Sequence, residues 1–130
     1  MAVDFGFKKI GIAVGETEFK IGAVRPPLTA TGALKKDAEA IVALAKKEQA
    51  EVVVIGLPVE ESGQEGRMAR ICRTLGSHVA QSGITVAFVD ESYTSIEAGV
   101  LLADFGVRSE RQKELVHGEA ALLILERFSV

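Results

Sequence analysis

The chain has one cysteine, Cys72, so no internal disulfide can close. Aromatic residues make up only 5% of it, which leaves the core to Val, Ile, Leu and Ala. No apolar run reaches the roughly 18 residues of a membrane span, and no signal-peptide pattern is visible in the sequence. A soluble, cytoplasmic protein with no membrane partner is therefore expected. Positive charge is not in excess: 15 Lys and Arg stand against 18 Asp and Glu, a net charge of -3. That balance argues against strong non-specific binding to nucleic acid but allows a local basic patch. There are no repeats, no low-complexity segments and no linker long enough to divide residues 1–130, so one domain is expected.

What is present suits an α/β protein. Hydrophobic residues make up 48% of 130, enough for a single core with buried strands. Residues 2–5, 10–15 and 19–24 read as short strands joined by glycine-containing hairpins, and Arg25-Pro26-Pro27 ends this meander. Leu34, Ala38, Ile41 and Ala45 predict a helix near 33–48. The apolar run from Glu51 to Leu57, stopped by Pro58, reads as a buried strand. Ser62 and Glu65 have the spacing of a capping box ahead of a helix from Met68 to Val79, on which Cys72 joins the core positions. Ile84 to Val89 is another strand. Thr94 and Glu97 form a second capping box before a helix reaching about 103, and a last helix covers 111–128. The order β-β-β-α-β-α-β-α-α predicts a mixed five-stranded sheet. Three of its strands are antiparallel hairpin strands and two are parallel crossover strands, with helices on both faces.

Asp4 is the residue least at home in this scheme. Strands deplete aspartate, and an unpaired buried carboxylate costs several kcal/mol, so an acid here is paired, hydrogen-bonded or bound to a metal. The fifth strand ends in Asp90-Glu91. Sites in open α/β sheets collect at the carboxyl ends of strands, so Asp4 and Glu91 would meet there if the first and fifth strands lie close. Two carboxylates in one small region repel unless a cation lies between them, and a hard divalent cation such as Mg²⁺ suits oxygen ligands. The plainer readings are that Asp90 caps a turn and that Glu91 is a solvated loop acid.

Four segments in order resemble the YqgF family, the pre-16S rRNA nuclease or Holliday-junction-resolvase-like family. Asp4-Phe5-Gly6-Phe7-Lys8-Lys9-Ile10-Gly11-Ile12-Ala13 resembles its opening motif. Gly56-Leu57-Pro58 with Gly63-Gln64-Glu65-Gly66 resembles its G-L-P loop. Asp90-Glu91-Ser92-Tyr93-Thr94-Ser95-Ile96-Glu97-Ala98 resembles its D-E-R segment, and Ala120-Ala121-Leu122-Leu123-Ile124-Leu125 resembles its last helix. The resemblance implies a ribonuclease H-like fold and a metal-dependent endonuclease of ribosome biogenesis, trimming the 5′ end of pre-16S rRNA in the cytoplasm. A Holliday-junction-resolvase-like nuclease acting on branched DNA is the alternative on the same fold.

The family's site is built from three acids that hold Mg²⁺ or Mn²⁺. Two carry over to Asp4 and Glu91; the third position is occupied by His117, with Glu119 two residues later. Residues two apart lie about 200° apart on a helix, so only one of these can face the sheet. His117 shares its face with Ala120, Ala121, Ile124 and Phe128, whereas Glu119 lies near Glu126 on the polar side, in solvent. A neutral imidazole can hold a divalent metal and would favour Mn²⁺ over Mg²⁺. The competing reading is a partly buried histidine in an impaired site, leaving a member that binds RNA or a protein partner. With metal held by Asp4, Glu91 and His117, a site of this type activates a water and stabilises the leaving 3′ oxygen of a phosphodiester.

Lys8 and Lys9 follow the first strand and could meet a phosphate backbone, as could Arg67, Arg70 and Arg73 on one helix side and Arg108, Arg111 and Lys113 near the last helix; solvated charge is the plainer reading of each cluster. Departures from the family pattern include Ser92 in place of its arginine and Glu60-Glu61-Ser62 in its G-L-P loop, which adds negative charge near a polyanion site. The chain starts three residues before Asp4, a short first strand that a misassigned start codon would explain. An actin-like ATPase would need two such lobes. A serine or cysteine hydrolase finds little support, because Cys72 reads as core and His78 has no evident partner. Oligomeric state is open.

Overall fold

The computed structural model describes residues 1–16, 21–58, 65–90 and 109–129; the side chains of Ile21, residues 109–117 and Ser129 are outside that description. Five strands form one sheet: β1 (Ala2–Asp4), β2 (Lys9–Glu16), β3 (Ile21–Thr29), β4 (Val52–Leu57) and β5 (Thr85–Asp90). Their order is β3-β2-β1-β4-β5. β1 pairs antiparallel with β2, and β2 with β3, while β1, β4 and β5 run parallel. Helices α1 (Leu34–Lys47) and α2 (Arg67–Ala80) cover one face, and α3 (Ser109–Ser129) covers the other. The mixed sheet with helices on both faces is the architecture expected from the sequence. The helix predicted to begin at Thr94 lies outside the described residues.

Two cores follow from the alternation of strand side chains. Val3, Ile12, Ile55 and Phe88 face α1 and α2, where Ile41, Cys72, Leu75 and Val79 are buried against them. Ala2, Ala13, Val54 and Ala87 face α3, meeting Ala121, Ile124 and Leu125. A fully buried isoleucine or leucine such as Ile12, Ile55 or Leu75 contributes about 1.5–3 kcal/mol. The α3 side is lined by smaller residues, and the helix lies close. A methyl group on Gly118 would collide with Cγ1 of Val24, and one on Gly22 would sit 2.6 Å from Cδ1 of Leu122.

Three local expectations are corrected. β3 does not end at Arg25-Pro26-Pro27 but continues through both prolines to Thr29. It is an edge strand, and the pairing skips between Ile10↔Leu28 and Ile12↔Arg25, so the two missing N–H groups fall at an irregularity where the ladder does not need them. Glu65 does not act in a capping box. Gly66 is the N-cap of α2, without a side-chain cap, and the Glu65 carboxylate is taken by Arg73 instead. α3 begins at Ser109, two residues earlier than expected, with Ser109 and Glu110 both suited to a helix start.

Candidate active site at the carboxyl edge of the parallel strands

Asp4 is the last residue of β1 and is only 5% exposed. Its partner on β2 is Gly11. On the other side, the register Ala2↔Val54 and Val3↔Ile55 continues to Gly56. Asp4 therefore stands opposite Gly11 on β2 and, by the continued register, level with Gly56 on β4. Because Val3 belongs to the α1–α2 core and Ala2 to the α3 core, alternation places Asp4 on the α3 side.

β5 brings its own end to the same edge. Gly56 pairs with Val89 and Leu57 with Asp90, so the carboxyl ends of β1, β4 and β5 lie together. One strand separates β1 from β5, a distance of about 10 Å. Asp90 is exposed, and two arginines are tied to it or its neighbours. Arg127 of α3 donates from Nη1 to the Asp90 carbonyl oxygen at 2.8 Å. On the other face, Arg73 of α2 lies 5.2 Å from the centre of the Phe88 ring and donates to both carboxylate oxygens of Glu65, one at 3.0 Å. The Arg73 guanidinium holds the Glu65 carboxyl below the usual glutamate range, and Glu65 together with the Asp90 charge pushes Arg73 upward.

The other residues singled out from sequence fall into three groups. Lys8, Lys9 and Arg67 are described. Lys8 and Arg67 are exposed, and half-buried Lys9 reaches Oγ1 of Thr29 at 3.5 Å. His117 and Arg111 lie within α3, but their side chains are outside the description. Position 117 is three residues before Ala120 and four before Ala121, both fully buried. Glu119, expected in solvent, is half-buried, while Glu126 is exposed. Glu91, Arg108, Ser92, Glu60 and Glu61 lie outside the described residues.

The fold also shows residues that sequence reasoning missed. Arg127 had no signal, since its partner is 37 positions away. Asp37 is 1% exposed and accepts hydrogen bonds from N and Oγ1 of Thr31 at 2.9 and 2.8 Å, which makes it a structural acid at the start of α1 rather than part of the site. Phe7, in the turn after Asp4, is 65% exposed. A depression of about 540 Å³ among Met1, Glu16, Glu51 and Phe128 opens at the opposite edge of the sheet, away from Asp4.

As a metal ligand, Asp4 fits: it is a hard oxygen donor, nearly enclosed, at the carboxyl end of β1. Among the described residues no three His, Cys, Asp or Glu side chains gather, so further donors would come from beyond them.

Comparison with known proteins agrees with this fold. The family model described as "RuvX: Holliday junction resolvase" matches residues 1–129. A protein of Nitrosospira multiformis named "Putative pre-16S rRNA nuclease" is 35% identical over 98% of this chain and 85% of its own length. One of the same name from Chromobacterium violaceum is 36% identical over 96% of this chain and 92% of its own. Among solved structures, T. thermophilus RuvC in complex with a Holliday junction substrate aligns with a TM-score of 0.57 at 10% identity, covering 98% of this chain and 91% of that one. That likeness is one of fold.

Proposed function

Since the chain belongs to the RuvX family of nucleases, we propose that its Asp4 edge is a divalent-metal phosphodiesterase site that trims the 5′ end of precursor 16S rRNA. The observation that carries this reading is Asp4, a buried acid opposite Gly11 and level with Gly56 at the edge where three parallel strands end. Mg²⁺ or Mn²⁺, when bound, supplies the charge that lowers the pKa of water and stabilises a leaving oxygen. Asp4, at the carboxyl end of β1, would be the first ligand of the ion. Glu91, next after Asp90, is proposed as the second ligand and His117 of α3 as the third, favouring Mn²⁺ over Mg²⁺. Lys8 and Arg67, both exposed, and Lys9, Arg108 and Arg111 are proposed to meet the phosphate backbone. The substrate follows the name carried by the relatives. Residues 1–130 are proposed to act as one ribonuclease H-like domain in the cytoplasm.

The test is cleavage of an end-labelled precursor 16S rRNA fragment by wild type and Asp4→Asn, with Mg²⁺ or Mn²⁺, alongside calorimetric titration of Mn²⁺. The expected result is a loss of more than about 100-fold in the variant, beyond what removal of an outer-shell partner causes, with weakened Mn²⁺ binding. Equal, background-level cutting by both proteins with either metal would sink the catalytic reading. A four-way DNA junction cut in preference to the RNA would move the substrate to branched DNA.

A further inference from the structure

The geometry points to Phe7 as a stacking platform for an unpaired nucleobase next to the phosphate handled at the Asp4 edge, an inference that rests on the nucleic-acid reading of that edge. Single exposed apolar residues are common and need no explanation by themselves. Phe7 differs in three respects. It is 65% exposed, the most exposed large apolar side chain among the described residues. It lies three residues after Asp4, so its Cα is within about 11 Å of that of Asp4. Its sequence neighbour Lys8 is also exposed.

The turn that presents the ring is also held in place. On one side, Phe5 is buried and meets the Phe7 ring edge-on, with centroids 6.1 Å apart and planes at 76°. On the other, the Lys8 carbonyl accepts from the Ala30 amide at 3.0 Å, and Lys9 pairs with Thr29. An aromatic ring packed against Phe5 and open to solvent, with an exposed lysine next in sequence, matches how proteins take up single strands: bases stack on the ring and cations follow the backbone. A duplex keeps its bases stacked on each other and offers no free face. The platform therefore selects substrates with an unpaired nucleotide beside the scissile phosphate.

The test is binding without metal, in EDTA, so that no cleavage occurs. Fluorescence anisotropy compares a short single-stranded RNA with a blunt duplex of the same sequence, for wild type, Phe7→Leu, Phe7→Trp and Lys8→Gln. Phe7→Leu is expected to weaken single-strand binding by about fivefold or more and to leave duplex binding unchanged, while Phe7→Trp retains affinity. Lys8→Gln is expected to weaken both ligands and to reduce the salt dependence. A 2-aminopurine base in the single strand should be quenched by wild type and Phe7→Trp but not by Phe7→Leu. Equal single-strand binding by wild type and Phe7→Leu, or no binding by wild type, overturns the stacking site. Stacking by a protein that cuts nothing in the Asp4→Asn comparison would instead remove the nuclease reading and leave the platform standing.

Discussion

Nη1 of Arg127 lies 2.8 Å from the carbonyl oxygen of Asp90, so the last turn of α3 is fastened to the last residue of β5. The bond spans the helix that carries His117 and the strand end that precedes Glu91. Arg127 thus sets the position of two proposed ligands without being one of them. Arg127→Met is expected to lower kcat several-fold with little change in KM, and to reduce stability by no more than about 1 kcal/mol, since the bond is exposed. Denaturant unfolding together with steady-state cleavage checks this. Arg127→Lys, which keeps the charge, should recover part of the rate, and a purely structural role would move stability and not kcat.

The close seat of α3 gives a second prediction. Gly118 faces Val24 with no room for a methyl group, and Gly118 is adjacent to His117. Gly118→Ala should push the helix off β3 and cost about 1–3 kcal/mol by overpacking. Val24→Ala opens the same space from the other side. The double variant Gly118→Ala with Val24→Ala is expected to be more stable than Gly118→Ala alone, a coupling that thermal unfolding of the four proteins measures. Strict additivity would mean that the helix does not press on Val24.

Asp37 and Asp4 are both buried acids, and only Asp4 belongs to the proposed site. Asp37 accepts from the amide and hydroxyl of Thr31, tying the first turn of α1 to the residues that lead into it. Asp37→Ala leaves the Thr31 amide without this acceptor, and a loss of about 1–3 kcal/mol is expected. Activity per folded molecule should not change. Unfolding curves and cleavage at a temperature where the variant is folded separate the two effects, and Asp4→Asn should show the reverse pattern.

These residues also show what the sequence makes legible. Asp4 stands out locally, because an acid in an apolar strand is conspicuous without knowledge of its neighbours. The sheet order is legible too, since hairpin glycines and the crossover pattern of strand and helix leave few topologies. The glycines flanking Asp4 are not, because Gly11 and Gly56 reach it only through strand register across the sheet. The run of β3 through Pro26 and Pro27 depends on its being an edge strand, which is a tertiary fact. Glu65 shows a limit of motif spacing. Ser-x-x-Glu describes a capping box, but an arginine eight residues on, in α2 itself, takes the carboxylate.

The Glu65–Arg73 pair gives a pH prediction whose direction follows from its cause. Arg73 hydrogen-bonds the Glu65 carboxylate and lowers its pKa in the folded chain. A lowered carboxyl pKa means that the contribution of the pair is complete above the ordinary glutamate range and disappears as pH falls through the lowered folded value. The clamp between Glu65, just ahead of α2, and Arg73 in the middle of α2 therefore holds at neutral and mildly acidic pH and opens only in stronger acid. Both groups are solvent-exposed, so salt should weaken the clamp. Carboxyl-carbon NMR should place the Glu65 midpoint below that of an ordinary glutamate in wild type and return it to the ordinary range in Arg73→Gln. Because Arg73 also lies over Phe88, two residues before Asp90, the same variant should shift the backbone resonances of Phe88 and Asp90. A Glu65 midpoint identical in both proteins would show that the guanidinium does not hold the carboxylate in solution.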